Sequence, residues 1–166
     1  MLTNEEVSYL LSLNKVLKDP EFIIDLGQKK NKVELISHED TEVEFLIEIT
    51  SNKKIILKTS LHHHETNNHI GLIRIDFKGS HKNPEEIKPS VPEFLRNYVG
   101  QWINFDQPHM HIFVEDYRPL AWAIPLEETT FPIKDIKDVG DLFTLIDTFA
   151  KHINVTSKLN IQHAIF

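Results

Sequence analysis

The residues best suited to chemistry lie between His62 and His111. This central segment holds seven of the ten histidines of the 166-residue chain and an arginine next but one to an aspartate. Histidines take up and release protons near neutral pH, and an arginine can stabilise negative charge that develops on a phosphate. The combination predicts acid–base catalysis at a phosphate group, or a metal site, since histidine is also a common metal ligand.

The first motif is the pair Arg74 and Asp76 within a predicted strand from His69 to Lys78. Alternation along a strand puts Leu72, Arg74 and Asp76 on one face and Ile73, Ile75 and Phe77 on the other. The tetrapeptide H-x-N-P, with His81 and Asn83, follows soon after. Taken alone, these residues are typical of an ion pair on a solvated sheet face followed by a polar turn.

The second motif is P-H-x-H, which opens a predicted strand from His109 to Glu115. The two-residue period places His109, His111, Phe113 and Glu115 on one face. Two histidines spaced in this way can reach the same ligand, either as acid and base on a scissile phosphate or as metal ligands. A hydrogen-bonded pair at the start of a strand is the ordinary alternative.

The third motif is the run His62-His63-His64, with His69 shortly after it. We interpret it as a polar hairpin loop between the second and third strands, and the functional alternative is a metal clip of His62, His64 and His69. A broader metal hypothesis combines His62, His64, His109 and His111. It ranks below a metal-free site because no acidic residue lies near these histidines in ligand spacing.

The first two motifs converge if the strands that carry them are neighbours. The catalytic candidates are then Arg74, Asp76, His81, His109 and His111. The candidate substrate-binding residues are Asn83, Phe113 and Trp122, although core packing is the more ordinary role for the two aromatic residues. One histidine would take the 2′-hydroxyl proton of RNA, another would protonate the leaving 5′-oxygen, and Arg74 would stabilise the phosphorane without metal or cofactor. The distance between the Arg74 and His111 side chains is decisive, since one phosphate must reach both.

The surrounding elements predict an α+β fold, with an antiparallel sheet of about five strands and an N-terminal and a C-terminal helix packed on it. Residues 1–166 are expected to form one domain. The predicted helices span Asn4–Lys18, where Thr3 and Glu6 make a capping box, and a segment that Asp138 caps. A turn is expected around Gly27–Asn31. The other strands are predicted at Val43–Ile49, Lys53–Leu61 and Ala121–Leu126, with Ser51 and Asn52 as a turn, and residues 79–108 form a long connection with a short helix near Glu93–Val99. Leu159–Phe166 is ambiguous.

The composition and charge of the chain limit the classes of function that it can have. The chain has no cysteine and a net charge of −7. The N-terminus lacks the basic, apolar pattern of a signal peptide, and no apolar run is long enough to cross a bilayer, so we expect a cytoplasmic protein without a membrane partner. Residues 51–111 hold 6 acids and 8 Lys/Arg, net +2, which makes this the only long stretch without a strong negative balance. The sequence does not specify the oligomeric state.

Four motifs occur in the order R-x-D, H-x-N-P, P-H-x-H and W-A-x-P-L, the last at Trp122–Leu126. Over residues 69–126 this pattern resembles a family of small uncharacterised bacterial, phage or mobile-element proteins. More remotely, R-x-D followed by paired histidines resembles toxin RNases of the barnase–RelE-like type, which cleave RNA without metal on a small antiparallel sheet. That resemblance implies catalytic roles for Arg74, His81, His109 and His111. It also implies an RNA substrate and a cognate antitoxin, in a toxin–antitoxin or phage-defence system. The chain departs from the pattern in its acidity and in the long insertion at residues 85–107.

The acidic segments support a second function class. Glu127 and Glu128, with Asp135, Asp138 and Asp141, could present negative charge to a basic partner. The alternative is therefore a non-enzymatic interaction protein, such as a phage-encoded inhibitor of the anti-CRISPR kind or an antitoxin-like partner of a host protein.

Overall fold

A computed structural model of the chain describes residues 1–52 and 58–163. Its centre is a seven-stranded antiparallel sheet with the strand order β1-β3-β4-β5-β6-β9-β10. These strands are Val16–Leu17 (β1), Lys30–Ile36 (β3), Glu44–Asn52 (β4), Lys58–Glu65 (β5), Ile70–Phe77 (β6), His109–Ile112 (β9) and Trp122–Pro125 (β10).

Smaller elements flank this sheet. Ile23–Asp25 (β2) pairs in parallel with Asn160–Gln162 (β11), and His81–Lys82 (β7) pairs antiparallel with Trp102–Ile103 (β8). The helices are Asn4–Ser12 (α1), Glu93–Arg96 (α2) and Gly140–His152 (α3), and a 3₁₀ turn spans Leu126–Glu128. None of the helices in the described part of the chain is long and apolar enough to cross a membrane.

The two faces of the sheet differ because the side chains alternate along each strand. Inward positions carry Phe45, Ile47, Leu61, Ile73 and Ile75, and these residues share one buried cluster with apolar residues of α1 and α3. The opposite face carries polar side chains on β4, β5, β6 and β9. The apolar core therefore lies on one side of the sheet, and the other side presents polar side chains.

The predicted α+β class with an antiparallel sheet and terminal helices agrees with the structure, but the number of strands was wrong. β1 and β3 add to the sheet, and β3 begins at Lys30, within the segment expected to be a turn. Helix α1 also ends at Ser12 and not at Lys18, because Val16 and Leu17 pair with Ile36 and Leu35 as a strand. The predicted strand at His109–Glu115 ends at Ile112.

The His62–His64 run was wrongly predicted to be a loop. It lies within β5, which pairs with β4 and β6, while the turn to β6 comes later, and His69 there has a positive φ of 55°. Ser51 and Asn52 belong to β4, and residues 53–57 of the predicted strand Lys53–Leu61 lie outside the described residues. In the ambiguous C-terminal segment, β11 occupies Asn160–Gln162, and residues 164–166 lie outside the described residues.

Candidate functional site

Two rows of polar residues cross the face of the sheet opposite the apolar core. In the first row, His62 on β5 is paired with Arg74 on β6, which is paired with His111 on β9. The second row runs through Ser60, Asp76 and His109 in the same order. Directly paired residues on antiparallel strands have their Cβ atoms about 5 Å apart. The sheet therefore brings together residues that are far apart in the chain.

Arg74, Asp76 and His111 form a closed triangle of polar contacts. Arg74 donates to Asp76 Oδ2 from Nη2 at 2.9 Å and from Nε at 3.1 Å. The same Nη2 lies 3.0 Å from His111 Nε2, which in turn lies 3.0 Å from Asp76 Oδ2. The Arg74–His111 separation that decides the catalytic hypothesis is thus short enough for one phosphate to reach both groups.

The tautomer of His111 follows from its other ring nitrogen. Nδ1 lies 3.0 Å from the carbonyl oxygen of Leu120, which can only accept, so Nδ1 carries the hydrogen. In the neutral ring, Nε2 is then a lone pair that accepts from Arg74. A proton added at Nε2 would be shared with the Asp76 carboxylate. His111 is therefore arranged to receive a proton and to be stabilised as an imidazolium.

The loop before β10 fixes this orientation through a left-handed residue. Leu120 has a φ of 61°, an uncommon conformation for a side chain branched at Cγ, and its carbonyl accepts from His111. The next carbonyl, of Ala121, lies 2.9 Å from Nε2 of His81 and accepts its hydrogen. Two successive carbonyls therefore set the ring orientation of both histidines, and strained backbone at such a position is typical of functional sites.

His81 joins the constellation from outside the main sheet. Its ring centroid lies 4.7 Å from that of His111 and 6.2 Å from that of His109. Asn83, two residues on, holds this segment against the sheet: its amide donates to the carbonyls of Ala123 and Tyr98 and accepts from the Ala123 amide. Asn83 thus provides hydrogen-bond partners for backbone groups at the outer edge of β10.

An open pocket of about 250 Å³ lies in front of these groups. Its lining includes Arg74, His111 and His81, together with His62, His69 and Arg118. Arg118 is exposed, and two guanidinium groups beside several imidazoles favour an anion. Asp76 and His109 do not line this pocket, so they act from behind the residues that do.

His62 faces the pocket with an unsatisfied atom. Its Nε2 is buried without a hydrogen-bond partner among the described residues. Burial, together with the neighbouring His64 and Arg74, lowers the pKa of His62 to about 4. Gly71 makes room for this ring, because a Cβ there would lie 2.8 Å from His62 Nε2 and 2.7 Å from Leu120 Cδ1.

The charge states of the central residues follow from burial and from their neighbours. Burial opposes ionisation of Asp76, but contacts with His111, Arg74 and Ser60 nevertheless hold the pKa of its carboxyl well below its usual range. Burial lowers the pKa of His111, while Asp76 acts in the opposite direction. Burial likewise lowers the pKa of His81 and of His109. The site therefore contains an ionised carboxylate and imidazoles that are neutral at neutral pH.

One group among the described residues has the spacing of a metal site. Asp76, His109 and His111 each offer an atom, and these atoms lie within 4.8 Å of one another. Arg74 Nη2, however, is within hydrogen-bond distance of both the Asp76 and the His111 atom, so a divalent ion would meet a positive charge there. Of the predicted set His62, His64, His109 and His111, the structure brings the rings together in two pairs, His62 with His64 and His109 with His111. Only the second pair belongs to the group with metal-site spacing, and the acid thought to be missing there is Asp76, on the neighbouring strand.

The predicted catalytic residues meet at one site in the structure, whereas the predicted substrate-binding residues are buried in the protein. Arg74, Asp76, His81, His109 and His111 all converge. Asn83, Phe113 and Trp122 are buried, with Trp122 completely enclosed, so none of them offers a face to a substrate. Asn83 instead bonds to backbone groups, and the two aromatic rings belong to the core.

Sequence reasoning missed two members of the site, Ser60 and Arg118, and named His62 only as a candidate metal ligand. Ser60 donates to Asp76 Oδ1 at 2.7 Å and fixes the carboxylate from the other side. Arg118 lines the pocket, and His62 does so from a strand, not from a loop. The alternation of Ser60, His62 and His64 was a signal for the strand. For Arg118 the only signal was a cation within ten residues of the P-H-x-H motif.

Fold and site together define a small α+β protein with an arginine–aspartate–histidine site on the polar face of an antiparallel sheet. The chain belongs to a family of unknown function, DUF6978, whose model matches residues 2–155. No curated protein and no solved structure shows significant similarity to it.

Proposed function

We propose that this protein is a metal-independent endoribonuclease. The observation that carries the proposal is the Arg74–Asp76–His111 triangle at the back of an open, cation-lined pocket. Placing an arginine, a carboxylate and several imidazoles together in partly buried positions is costly, and such clusters are concentrated at functional sites. A phosphodiester is the ligand that fits two guanidinium groups and proton-transferring rings.

The chemical step uses groups that line the pocket. When Arg74 Nη2 turns from His111 to the phosphate, the freed lone pair of His111 Nε2 takes the proton of the 2′-hydroxyl, whose oxygen attacks the phosphorus, and Asp76 stabilises the imidazolium. The bond from phosphorus to the 5′-oxygen breaks, and His81 in its protonated form gives that oxygen a proton. Arg74 and Arg118 stabilise the phosphorane. The products are a 2′,3′-cyclic phosphate and a 5′-hydroxyl, so atoms and charge balance without water.

Purified protein incubated with a fluorescent single-stranded RNA is the direct test. We expect cleavage that persists in excess EDTA and yields 2′,3′-cyclic phosphate ends. A substrate with 2′-deoxyribose at every position is expected to remain intact, because the nucleophile is missing. Cleavage of the deoxy substrate, or loss of activity in EDTA, would exclude this mechanism. If no RNA is cleaved under any condition, the acidic interaction-protein alternative takes its place.

The pH dependence of kcat/KM provides a second test. Activity needs His111 without its proton and His81 with its proton, and burial lowers the pKa of both rings below 6.5. Activity is therefore lost on acidification as His111 protonates, and on alkalinisation as His81 loses its proton. We expect a bell-shaped profile with a maximum below pH 6.5 and a fall of about tenfold per pH unit on the alkaline side. A plateau extending to pH 8 would contradict the role of His81 as acid.

A further inference from the structure

A second pocket lies on the Asp76 side of the Arg74–Asp76 ion pair. Its volume is about 220 Å³, and it is lined by Ser60, Asp76 and three lysines, Lys29, Lys58 and Lys78, among others. Arg74 lines the first pocket and Asp76 the second, and two residues on one strand are separated by about 7 Å. The two pockets are therefore neighbours along β6.

An aromatic ring lies beside this second pocket. Phe105 is 41% exposed, and Lys58 Nζ lies 5.8 Å from the centre of its ring. Its carbonyl accepts from the amide of Gly79, which itself lines the pocket. Lysines next to an exposed aromatic ring form the usual arrangement for binding single-stranded nucleic acid, in which cations contact phosphates and a base stacks on the ring.

We propose that the second pocket binds the nucleotide next to the scissile phosphate, with its phosphate on Lys29, Lys58 and Lys78 and its base on Phe105. This inference rests on the proposed ribonuclease function and specifies the substrate as single-stranded RNA of several nucleotides. It also accounts for how an acidic protein can hold RNA, because three of its lysines line a pocket next to the site.

An acidic neighbour sets a limit on this pocket. Asp106 pairs with Lys78 at 2.6 Å, and its side chain is 79% exposed. A phosphate must compete with this carboxylate for the Lys78 ammonium. Removing the charge of Asp106 should therefore strengthen RNA binding, an effect opposite in sign to that of the lysine substitutions.

Binding can be measured apart from catalysis with fluorescein-labelled 2′-O-methyl RNA, which lacks the nucleophile. For an eight-nucleotide probe, we expect the combined variant Lys29→Gln, Lys58→Gln and Lys78→Gln to lower affinity at least tenfold. We expect the slope of log K against log salt to become about 2 units less steep. Phe105→Ala should weaken binding by about tenfold through lost stacking, and Asp106→Asn should tighten it. A charge-matched control replaces the exposed lysines Lys137, Lys151 and Lys158 by glutamine and should bind like the unmodified protein.

The outcomes separate the two proposals. RNA cleavage by the unmodified protein, together with equal binding by the lysine variant and the charge-matched control, would overturn the second pocket and leave the ribonuclease in place. Lysine-dependent binding without any cleavage would support the pocket as a nucleic-acid site and overturn the catalytic proposal. Absence of binding at any length would overturn the inference.

Discussion

Replacing His111 by alanine is expected to lower kcat/KM for RNA cleavage by about a thousandfold. The ring accepts from Arg74 and faces Asp76, so it is the group through which the carboxylate can support proton transfer. Since His111 is buried, thermal unfolding of the variant should be measured beside activity. The matched control is His38→Ala, at an exposed histidine that does not line the site pocket, with activity expected to be unchanged.

Arg74→Lys gives the same test without the loss of a buried ring. A lysine keeps the charge but cannot contact Asp76 and His111 with the fork of a guanidinium, so we expect a loss of about a hundredfold in kcat/KM with a folded protein. Cleavage at the unmodified rate by both the His111 and the Arg74 variants would rule out the mechanism. A loss in both that matches the loss of folded protein would assign these residues to stability alone.

Lys15→Met is expected to reduce the free energy of unfolding by about 3 kcal/mol at pH 7. The Lys15 side chain is buried, and Nζ donates to three carbonyls: Leu13 at 2.8 Å, Ile153 at 2.9 Å and Leu11 at 3.2 Å. It also lies 4.8 Å from the centre of the Phe45 ring. Methionine fills a similar volume but leaves the three carbonyls without a donor. The hydrogen bonds that are lost link the end of α1 to the segment after α3.

The effect of Lys15→Met should grow with pH. Burial lowers the pKa of Lys15 from 10.5 to about 8, although Glu39 acts in the opposite direction. Between these values the unfolded chain binds the proton more tightly, so this group stabilises the unmodified protein increasingly as pH rises from 8 to 10.5, by up to about 3 kcal/mol. Denaturant unfolding of both proteins at pH 7 and pH 10 measures the difference. The exposed Lys151→Met is the control, and an equal pH response in the two variants would contradict this account.

Much of the fold followed from alternation in the sequence. The strand that carries Arg74 and Asp76 was predicted within a residue at each end, because Ile73, Ile75 and Phe77 mark its inner face clearly. The strand β3 was missed since its outer positions are Lys30, Lys32 and Glu34, and only two strongly apolar side chains mark the inner face. The local composition there is typical of a turn, but pairing with β4 stabilises this segment as a strand.

The histidine run shows how a polar segment can be mistaken for a loop. His63 is fully buried on the core face, with its ring 5.4 Å from that of Phe45, while His62 and His64 point to the other side. Glu65 is also buried, and its carboxylate accepts from the amides of Asn67 and Asn68 in the turn that follows. Hydrophobicity gives no warning of such positions, because His63 Nδ1 and the Glu65 carboxylate bond to backbone groups that only the fold brings near them.

The sequence was enough to predict the central members of the candidate site, but not which of them line the pocket. Spacing along two strands was enough to group Arg74, Asp76, His109 and His111 on shared faces. Which of them reach a ligand depends on the register between β6 and β9 and on the left-handed turn at Leu120, and neither is visible in local spacing. The sequence also could not show that Arg118 enters the pocket from a loop.

The strand order has a consequence for the assembly of the site. β4, β5 and β6 follow one another in the chain as neighbours, whereas β9 reaches β6 only after the connection of residues 78–108. Closing so long a loop carries an entropic cost that the adjacent hairpins avoid. That cost falls on the pairing that brings Arg74 to His111. In a chain that has formed the hairpins but has not yet paired β9 with β6, Arg74 and Asp76 are in place and His109 and His111 are not. The site is therefore complete only when the sheet is complete.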